Sequence, residues 1–420
     1  MLDIKFIREN KDLISAAAKK KHIEFNVEEL LEVDKKRLEL LSKVEALRGE
    51  QNKFSDKIAG IADSSERTTL IEEMRTVKED LKKNEEELKE TVVSWQKLML
   101  HVPNVPDMSV PEGNSDADNV EVRKWGKKPE FSFQPKSHIE LMKALDMVDF
   151  ERGTKVAGFR GYFLKNDAVL LSLALWNFVQ KHFVEKGFNP MIVPSMVKRE
   201  VFMGTGYLPQ GEEDLYKTQD GDYLAGTAEV ATMGYFMDEV LDKKQLPLKF
   251  ISFSPCFRRE AGAHGKDTQG LIRVHEFYKW EQVVFCEASH EESVRHHEDI
   301  TLFAEELLQK LGLHHHVVAN CGADLGQGQV KKYDAEAWMP GEGKYRETGS
   351  SSYFHDFQTR RLNIRYKDDD GKLRFAHSLN NTALSGRPLL AIVENYQNED
   401  GSITVPEVLR PFMGKDRISR

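Results

Sequence analysis

Cysteine is scarce in this 420-residue sequence. The three cysteines, Cys256, Cys286 and Cys321, are odd in number, widely spaced and include no CxxC pair. This pattern argues against a zinc ribbon and a disulfide framework, and it is typical of a reducing compartment. We therefore expect a cytoplasmic protein without a catalytic zinc ion.

Long hydrophobic runs are also missing. The first five residues, MLDIK, are charged and contain no signal-peptide core. The most apolar stretch, residues 169–184, is interrupted by Asn177, Gln180 and Lys181 and is short for a bilayer span. It indicates a buried helix, and we expect no membrane association.

An excess of basic charge is absent as well. Apolar residues make up 40% of the chain, charged residues make up 31%, and the net charge is -9. A sizeable core can therefore form. DNA binding is not indicated, because nucleic-acid-binding domains often carry a basic excess, and an RNA partner would have to contact local basic patches.

Proline is absent from residues 27–100, and apolar residues recur there with heptad spacing. In the first half the repeat is formed by Val33, Leu40, Leu47, Phe54 and Ile61, with Leu30, Val44 and Ile58 as companions. In the second half it is formed by Leu70, Met74, Val77, Leu81, Leu88, Trp95 and Leu98. This period predicts a coiled coil.

The segment 60–65, GIADSS, predicts the tip of a helical hairpin. Asn26 with Glu29, and Asp63 with Glu66, have capping-box spacing at the two helix starts. Two helices of about 33 residues would form an antiparallel arm roughly 50 Å long. A short helix around residues 7–20 would precede the arm.

Prolines end the helical pattern at Pro103 and Pro106, because proline lacks the backbone donor that a helix needs. Beyond this linker the sequence predicts strands at 248–254, 281–285 and 361–366 and a helix at 292–311. Strands and helices do not alternate strictly, which favours an α+β fold with an antiparallel sheet. We expect an N-terminal domain over residues 1–108 and a second domain over residues 109–420.

One segment of the second domain predicts a pair of strands joined by a loop. It runs from FRRE at 257–260 to RVHEFYKWE at 273–281. Its hairpin would bring Arg258 and Arg273 together, and two guanidinium groups suit a polyphosphate because arginine offers paired donors and keeps its charge. An ordinary surface hairpin with ion pairs is the alternative.

Two further segments combine a helix with a turn or a strand. NNTALSGR at 380–387 leads into the apolar run PLLAIVENYQ, so a helix would begin just after Arg387, and helix N-termini favour anions. GFNPMIVP at 187–194 predicts a helix that ends at glycine and an edge strand that contains proline.

Together these segments resemble motifs 1, 2 and 3 of class II aminoacyl-tRNA synthetases, in the form found in the seryl-tRNA synthetase family. The resemblance covers nearly the whole chain, including the arm. It implies a class II fold, an antiparallel sheet flanked by helices, and a homodimer built on motif 1. It also implies ATP-dependent activation of L-serine and its transfer to serine tRNA, which the arm would bind, with selenocysteine tRNA as a further acceptor.

The resemblance assigns five residues to ATP. Arg258 would bind the α-phosphate together with the serine carboxylate, and Glu260 would contact the adenine amine. Arg273 would hold the outer phosphates, Phe277 would stack on adenine, and Arg387 would bind the γ-phosphate. The three arginines are the expected catalytic residues.

Two further ATP-site residues, Glu347 and Ser350, resemble the metal segment of the family and would hold Mg²⁺ with oxygen ligands. The sequence departs from the family pattern at Gly349 and Tyr353, where serine and asparagine are usual, and at Glu276, where many relatives carry glutamine. The motif 3 loop is also one residue shorter than usual.

A serine pocket needs a carboxylate for the ammonium group, an arginine for the carboxylate and a partner for the hydroxyl. A site that bonds the hydroxyl can reject the analogue that lacks it. The resemblance assigns serine binding to Thr227, Glu229, Arg258, Glu281, Asn380 and Thr382.

Two alternatives remain open. One is a related ligase that loads serine onto a carrier protein, although such relatives lack the long arm. The other is a non-catalytic coiled-coil protein derived from a synthetase, although all the motif arginines are present.

Two histidine clusters are expected to be part of the structure rather than of a metal site. The run from His314 to His316 predicts a polar strand start rather than a metal tract. His296 and His297 are expected on a solvated helix face.

Overall fold

The computed structural model describes residues 1–61, 64–262, 265 and 267–420. They form two compact units. The helical unit comprises Leu2–Lys19 and Ile23–Pro103, and the sheet unit comprises Met1, Lys20–His22 and Asn104–Arg420. Asp63 of the second predicted capping box, with part of the predicted hairpin tip, lies outside the described residues.

Long helices dominate the helical unit. The helices in this part of the chain are α1 (Ile4–Glu9), α2 (Lys11–Lys20), α3 (Val27–Gly60) and α4 (Ser64–His101). The two long helices that the heptads predict are thus confirmed, whereas the predicted short helix around 7–20 is divided in two at Asn10. The Asn26 side chain caps α3 by accepting hydrogen bonds from the backbone N–H groups of Glu28 and Glu29.

The two long helices lie side by side and run antiparallel. Arg48 pairs with Glu85 at 2.7 Å, and the Arg37 guanidinium lies 4.8 Å above the Trp95 ring. Because Trp95 follows Glu85 while Arg37 precedes Arg48, the chain directions are opposite. The heptad residues Leu40 and Val44 of α3 and Leu81 of α4 are buried, as expected for the seam of a coiled coil.

Short helices and a large sheet make up the rest of the chain. The helices are α5 (His138–Ala144), α6 (Phe150–Ala157), α7 (Asp167–Glu185), α8 (Arg199–Thr205), α9 (Ala228–Gly234), α10 (His290–Lys310), α11 (Phe357–Arg361), α12 (Arg387–Asn395) and α13 (Arg410–Met413). The strands are β1 (Val120–Trp125), β2 (Val148–Asp149), β3 (Phe163–Leu164), β4 (Asn189–Ile192), β5 (Met196–Val197), β6 (Tyr216–Lys217), β7 (Tyr223–Leu224), β8 (Val240–Asp242), β9 (Leu248–Phe257), β10 (Glu276–Cys286), β11 (His315–Ala319), β12 (Lys331–Met339), β13 (Lys344–His355), β14 (Arg365–Lys367), β15 (Leu373–Phe375), β16 (His377–Leu384), β17 (Ile403–Thr404) and β18 (Arg417–Ile418).

The central sheet has the strand order β1-β11-β12-β13-β16-β10-β9-β4. Its neighbouring strands are antiparallel, except that β4 pairs parallel with β9 at one edge. Helices α7, α10 and α12 contribute to the same hydrophobic core as the sheet. The predicted α+β fold is confirmed. In the described part of the chain, the helices are too short or too polar to cross a membrane.

One predicted strand, at residues 361–366, is largely wrong. Arg361 ends α11, and only Arg365 and Tyr366 of that segment lie in a strand. Asn363 between them has a positive φ of 56°, which is incompatible with a continuous extended strand.

The expected solvation of His296 and His297 is also wrong, because both side chains are about 1% exposed. These residues lie on the face of α10 that packs against β13 and β16. The His297 ring stacks on Tyr333 with centroids 4.8 Å apart, and its Nε2 lies 3.1 Å from the Ser351 carbonyl oxygen. The charged neighbours in the sequence occupy the outer face of the helix.

Candidate active site

An open cleft lies beside β10, β13 and β16, with about 560 Å³ of space that includes open solvent at its mouth. Its lining residues are Arg258, Glu260, Leu271, Ile272, Arg273, Val274, Phe277, Lys279, Glu347, Thr348, Thr382, Ser385, Gly386 and Arg387. Because β16 lies between β13 and β10 in the sheet, segments more than 100 positions apart in the sequence meet here. The cleft brings together all three expected catalytic arginines.

The hairpin of β9 and β10 positions Arg258. These strands pair with Phe257 opposite Glu276, and the Arg258 N–H donates to the His275 carbonyl oxygen at 3.0 Å. The Arg258 guanidinium lies 5.6 Å from the Phe277 ring centroid, and its Nε donates to the Gly226 carbonyl oxygen at 3.3 Å. The guanidinium is therefore held beside the aromatic residue expected to stack on adenine.

Glu260 and Arg273 form an ion pair in the loop between these strands, with Oε2 and Nη1 2.5 Å apart. Their expected partners in the complex are different, since Glu260 would contact adenine and Arg273 the outer phosphates. The pair would therefore have to separate when a nucleotide binds.

Arg387 is the first residue of α12, so the helix begins one residue earlier than the sequence predicts. It donates from Nη1 to the Glu347 carbonyl oxygen at 2.8 Å and lies 3.2 Å from the Glu347 carboxylate. The Glu347 side chain is partly exposed; the desolvation that it does undergo would raise its pKa, but the nearby cations Arg387, Lys332 and Arg258 outweigh this effect and hold that pKa well below its usual range. Glu347 therefore offers a carboxylate in the cleft at neutral pH.

Thr227 and Glu229 are buried and are not among the residues that line the cleft. Thr227 caps α9 by accepting a hydrogen bond from the Glu229 N–H. The two Glu229 oxygens accept hydrogen bonds from the Tyr207 hydroxyl at 2.9 Å and from the Gln358 amide at 2.7 Å. Burial raises the pKa of Glu229, and these two donors oppose that rise.

Glu281 lies on β10 opposite Thr382 of β16 and is also buried. Its Oε2 is 2.7 Å from the Lys279 ammonium and accepts a hydrogen bond from the Thr382 hydroxyl at 3.5 Å. Burial raises the pKa of Glu281, while Lys279 and then Arg258 oppose the rise. The expected partners of a serine hydroxyl are therefore in contact with one another.

Five of the predicted site residues do not line the described cleft, namely Thr227, Glu229, Glu281, Asn380 and Ser350. Asn380 lies on β16 two residues before Thr382, opposite Ser352 of β13. Ser350 lies on β13 opposite Asp334 of β12.

The donors near Glu347 fit a magnesium ion. Asp334 is nearly buried, and its Oδ1 has no hydrogen-bond partner among the described residues. Burial raises the pKa of Asp334 to about 6, against the effect of Lys332, with Glu347 adding to the rise. A group of oxygen donors with an unused carboxylate atom suits a hard cation.

Sequence reasoning missed five residues at this site, namely Tyr207, Lys279, Asp334, Gln358 and Ser385. Lys279 could have been predicted from the sequence, because it lies two positions before Glu281 and therefore shares its face of a strand. The others reach the site from remote segments or from the motif 3 loop.

The structure gives both departures near the metal segment a physical reason. A Cβ on Gly349 would lie 3.0 Å from the Thr382 carbonyl oxygen, so glycine permits a close approach to β16. The Tyr353 hydroxyl donates to Asp107 at 2.8 Å, which ties β13 to the segment before β1.

Comparison with known proteins identifies the class of enzyme to which this cleft belongs. Residues 216–396 match the family model described as the class II core domain of tRNA synthetases for G, H, P, S and T. The sheet and its cleft are thus the core of a class II aminoacyl-tRNA synthetase. Residues 1–106 match the model of the seryl-tRNA synthetase N-terminal domain.

Similarity over the full length identifies the family. The chain is 43% identical to the serine–tRNA ligase of Treponema denticola, covering 100% of both chains, and 43% identical to that of Deinococcus radiodurans, covering 99% and 98%. The seryl-tRNA synthetase of Pyrococcus horikoshii complexed with ATP superposes with a TM-score of 0.92 at 39% identity, covering 100% of this chain and 99% of that one. The cytoplasmic serine–tRNA ligase of Naegleria fowleri in complex with AMP superposes with a TM-score of 0.88 at 32% identity, again covering 100% of this chain and 99% of that one. The chain belongs to the seryl-tRNA synthetase family.

Proposed function

We propose that this chain activates L-serine with ATP and transfers the seryl group to the 3′ end of serine tRNA. The observation that carries the proposal is the cleft itself, which is lined by three arginines and by Thr382, whose hydroxyl donates to the buried carboxylate of Glu281. Arginines suit the phosphates of ATP, and the carboxylates suit the ammonium group of an amino acid.

Substrate binding uses the deep end of the cleft. Glu229 binds the ammonium group of serine, with Thr227 fixing the start of the same helix. Arg258 binds the serine carboxylate, and Glu281 with Thr382 binds the hydroxyl. Asn380 supports this pocket from the same strand as Thr382.

The chemistry needs no protein nucleophile. The serine carboxylate attacks the α-phosphate of ATP in line, pyrophosphate leaves, and seryl-adenylate remains. Arg258, Arg273 and Arg387 position the phosphates and stabilise the developing charge. Glu260 and Phe277 hold the adenine. The 3′-terminal ribose hydroxyl of the tRNA then attacks the seryl carbonyl carbon and releases AMP.

Glu347 and Ser350 would hold the magnesium ion of ATP, with the unpartnered oxygen of Asp334 nearby. A bound magnesium ion supplies charge neutralisation for the phosphates.

The proposal also assigns a role to each domain and an assembly to the chain. Residues 1–108 bind serine tRNA through the arm, and residues 109–420 form the catalytic domain. Two copies of the chain associate through the motif 1 region, where exposed apolar side chains support an interface: Phe163, Val169, Leu173 and Ile192. We place this enzyme in the cytoplasm, in keeping with its three unpaired cysteines.

Exchange of pyrophosphate into ATP, measured with each amino acid in turn and with and without tRNA, tests the activity. Only serine should support rapid exchange. Arg258→Ala should reduce it by on the order of a hundredfold or more, because a group that stabilises transferring charge is lost. Arg152→Ala, at an exposed arginine on α6, is the matched control. Near-normal exchange by a folded Arg258→Ala protein would contradict the assignment.

Sedimentation tests the subunit arrangement. A dimer of the 48.2 kDa chain is expected at micromolar concentration. Leu173→Glu should shift the population toward the monomer, because it places charge in the proposed interface. A fully active species of 48.2 kDa for the unmodified chain would refute the homodimer.

A further inference from the structure

We propose that Lys279 is a positioning residue that keeps the Glu281 carboxylate charged and oriented, so that Glu281 accepts a hydrogen bond from the substrate hydroxyl and the pocket selects serine over alanine. The inference rests on the proposed function, and it adds a residue that determines specificity.

The geometry of the pair is the first argument. Lys279 and Glu281 are two positions apart on β10, so their side chains leave the same face of the sheet. Lys279 Nζ lies 2.7 Å from Glu281 Oε2, and the two side chains are only 7% and 3% exposed. Such a pair differs from a surface ion pair, because removal of one partner leaves an uncompensated charge in the interior.

The distribution of donors is the second argument. Oε2 of Glu281 lies against both Lys279 and the Thr382 hydroxyl. Among the described residues, no hydrogen bond to Oε1 is found. Lys279 thus fixes one oxygen, which leaves the other available to a hydroxyl that enters the pocket.

The balance of charge is the third argument. The titratable and polar groups that face Glu281 are Lys279 of β10, Cys256 of β9, Arg258 just after β9, Glu229 of α9, Tyr207 after α8 and Thr382 of β16. Two carboxylates therefore face one lysine and one arginine. Serine enters as a zwitterion and leaves this balance unchanged.

Without Lys279, two buried carboxylates would share one arginine. Burial already raises the pKa of Glu281, and the loss of its nearest cation would raise it further. A protonated Glu281 is a weaker acceptor, since hydrogen bonds to a charged oxygen are about twice as strong as neutral ones. Serine would lose the bond that distinguishes it from alanine, whereas alanine, which lacks the hydroxyl, would lose little.

The test compares serine with alanine in pyrophosphate exchange by the full chain from pH 6 to pH 9. Lys279→Met keeps the length of the side chain and removes its charge. We expect its kcat/KM for serine to fall roughly 10- to 100-fold, mainly through KM, and its value for alanine to change by less than about threefold. The serine defect should shrink as the pH rises, because Glu281 must lose its proton to accept the bond.

Three companion variants sharpen the result. In Lys279→Arg, the ratio of kcat/KM for serine to that of the unmodified chain should again be independent of pH, because the positive charge is restored. Glu281→Gln, a neutral analogue of the protonated acid, should lose the same selectivity without any pH dependence. Lys243→Met removes a lysine paired with Asp368 outside the cleft and should leave selectivity unchanged.

Two outcomes would overturn the proposal. Equal losses for serine and alanine in Lys279→Met would mean that the lysine acts on the carboxylate or phosphate common to both substrates. An unchanged ratio of serine to alanine in Glu281→Gln would show that Glu281 is not the acceptor, even if Lys279→Met does not fold. Failure of the proposed function is distinguishable, since the unmodified chain would then show no serine-dependent exchange.

Discussion

Two donors from different parts of the chain hold Glu229. Tyr207 follows α8 and Gln358 belongs to α11, and each occupies one carboxylate oxygen. Ser378 donates to Gln358 Oε1 at 2.7 Å, so the amide orientation is fixed as well. A buried carboxylate that binds an ammonium group needs such support, because burial alone favours its neutral form.

Tyr207→Phe should therefore raise the KM for serine by roughly threefold to tenfold and leave the KM for ATP unchanged. The reason is that one hydrogen bond of about 1 kcal/mol to Glu229 disappears. Serine-dependent pyrophosphate exchange measures both constants. Tyr396→Phe is the matched control, because that hydroxyl donates to the Leu311 carbonyl oxygen away from the cleft. Equal changes in the two variants would show that Tyr207 has no specific part in binding serine.

Residues of the site differ in how readily the sequence reveals them. Arg258 and Glu281 lie in one continuous motif, so their segment could be recognised as a unit. Gln358 reaches Glu229 across 129 positions, and only the tertiary fold joins them. Local patterns carry no information on such pairs, which is why the supporting donors were not predicted.

Secondary-structure elements could be predicted where one hydrophobic repeat extends over many residues. The heptads of α3 and α4 repeat over several turns, and both helices were expected. Shorter elements depend on single backbone conformations, as the turn at Asn363 shows. The burial of His296 and His297 depends on which face of α10 packs against the sheet. The surrounding sequence is rich in charged residues, so the buried face could not be predicted from it.

One histidine links three strands at the edge of the central sheet. His316 of β11 lies between Glu121 of β1 and Glu336 of β12, with both ring nitrogens 2.8 Å from a carboxylate oxygen. Burial would lower the pKa of His316, but the hydrogen bonds to Glu336 and Glu121 outweigh it and raise that pKa. The protonated ring therefore stabilises the contact of β11 with both neighbours.

The stabilising effect of His316 should depend on pH. Because the folded pKa is raised, the contribution is complete below the unfolded value near 6.5 and is lost as the pH rises through the folded value. His316→Gln should thus lower Tm more at pH 5.5 than at pH 8.5, by about 1 to 2 °C if the contribution is about 1 kcal/mol. His101→Gln, at an exposed histidine of α4, is the control. A defect that grows toward alkaline pH would contradict this reasoning.

The molecule as a whole consists of two units with different tasks in the proposed function. Residues 27–100 contain 14 basic and 18 acidic side chains, so net charge gives no support to RNA binding by the arm. Local basic clusters at Lys35–Arg37 and Lys82–Lys83 favour it, because phosphate contact needs only a stripe on one face. Helical RNA is recognised mainly through its shape and backbone. A spacer without RNA contacts is the alternative.

A shortened arm separates the two interpretations. Deletion of residues 45–88, with Val44 joined to Lys89 by a glycine linker, cuts α3 and α4 at the same level of the hairpin, since Arg48 pairs with Glu85. Lys36 loses its ion pair with Glu87, which lies within the deleted segment. Serine-dependent pyrophosphate exchange should stay within about twofold of the full chain, since every residue of the cleft lies beyond position 226. Charging of serine tRNA should fall by on the order of a hundredfold in kcat/KM, mainly through weaker tRNA binding. A folded, shortened protein that charges serine tRNA as efficiently as the full chain would show that the removed part of the arm does not read the tRNA.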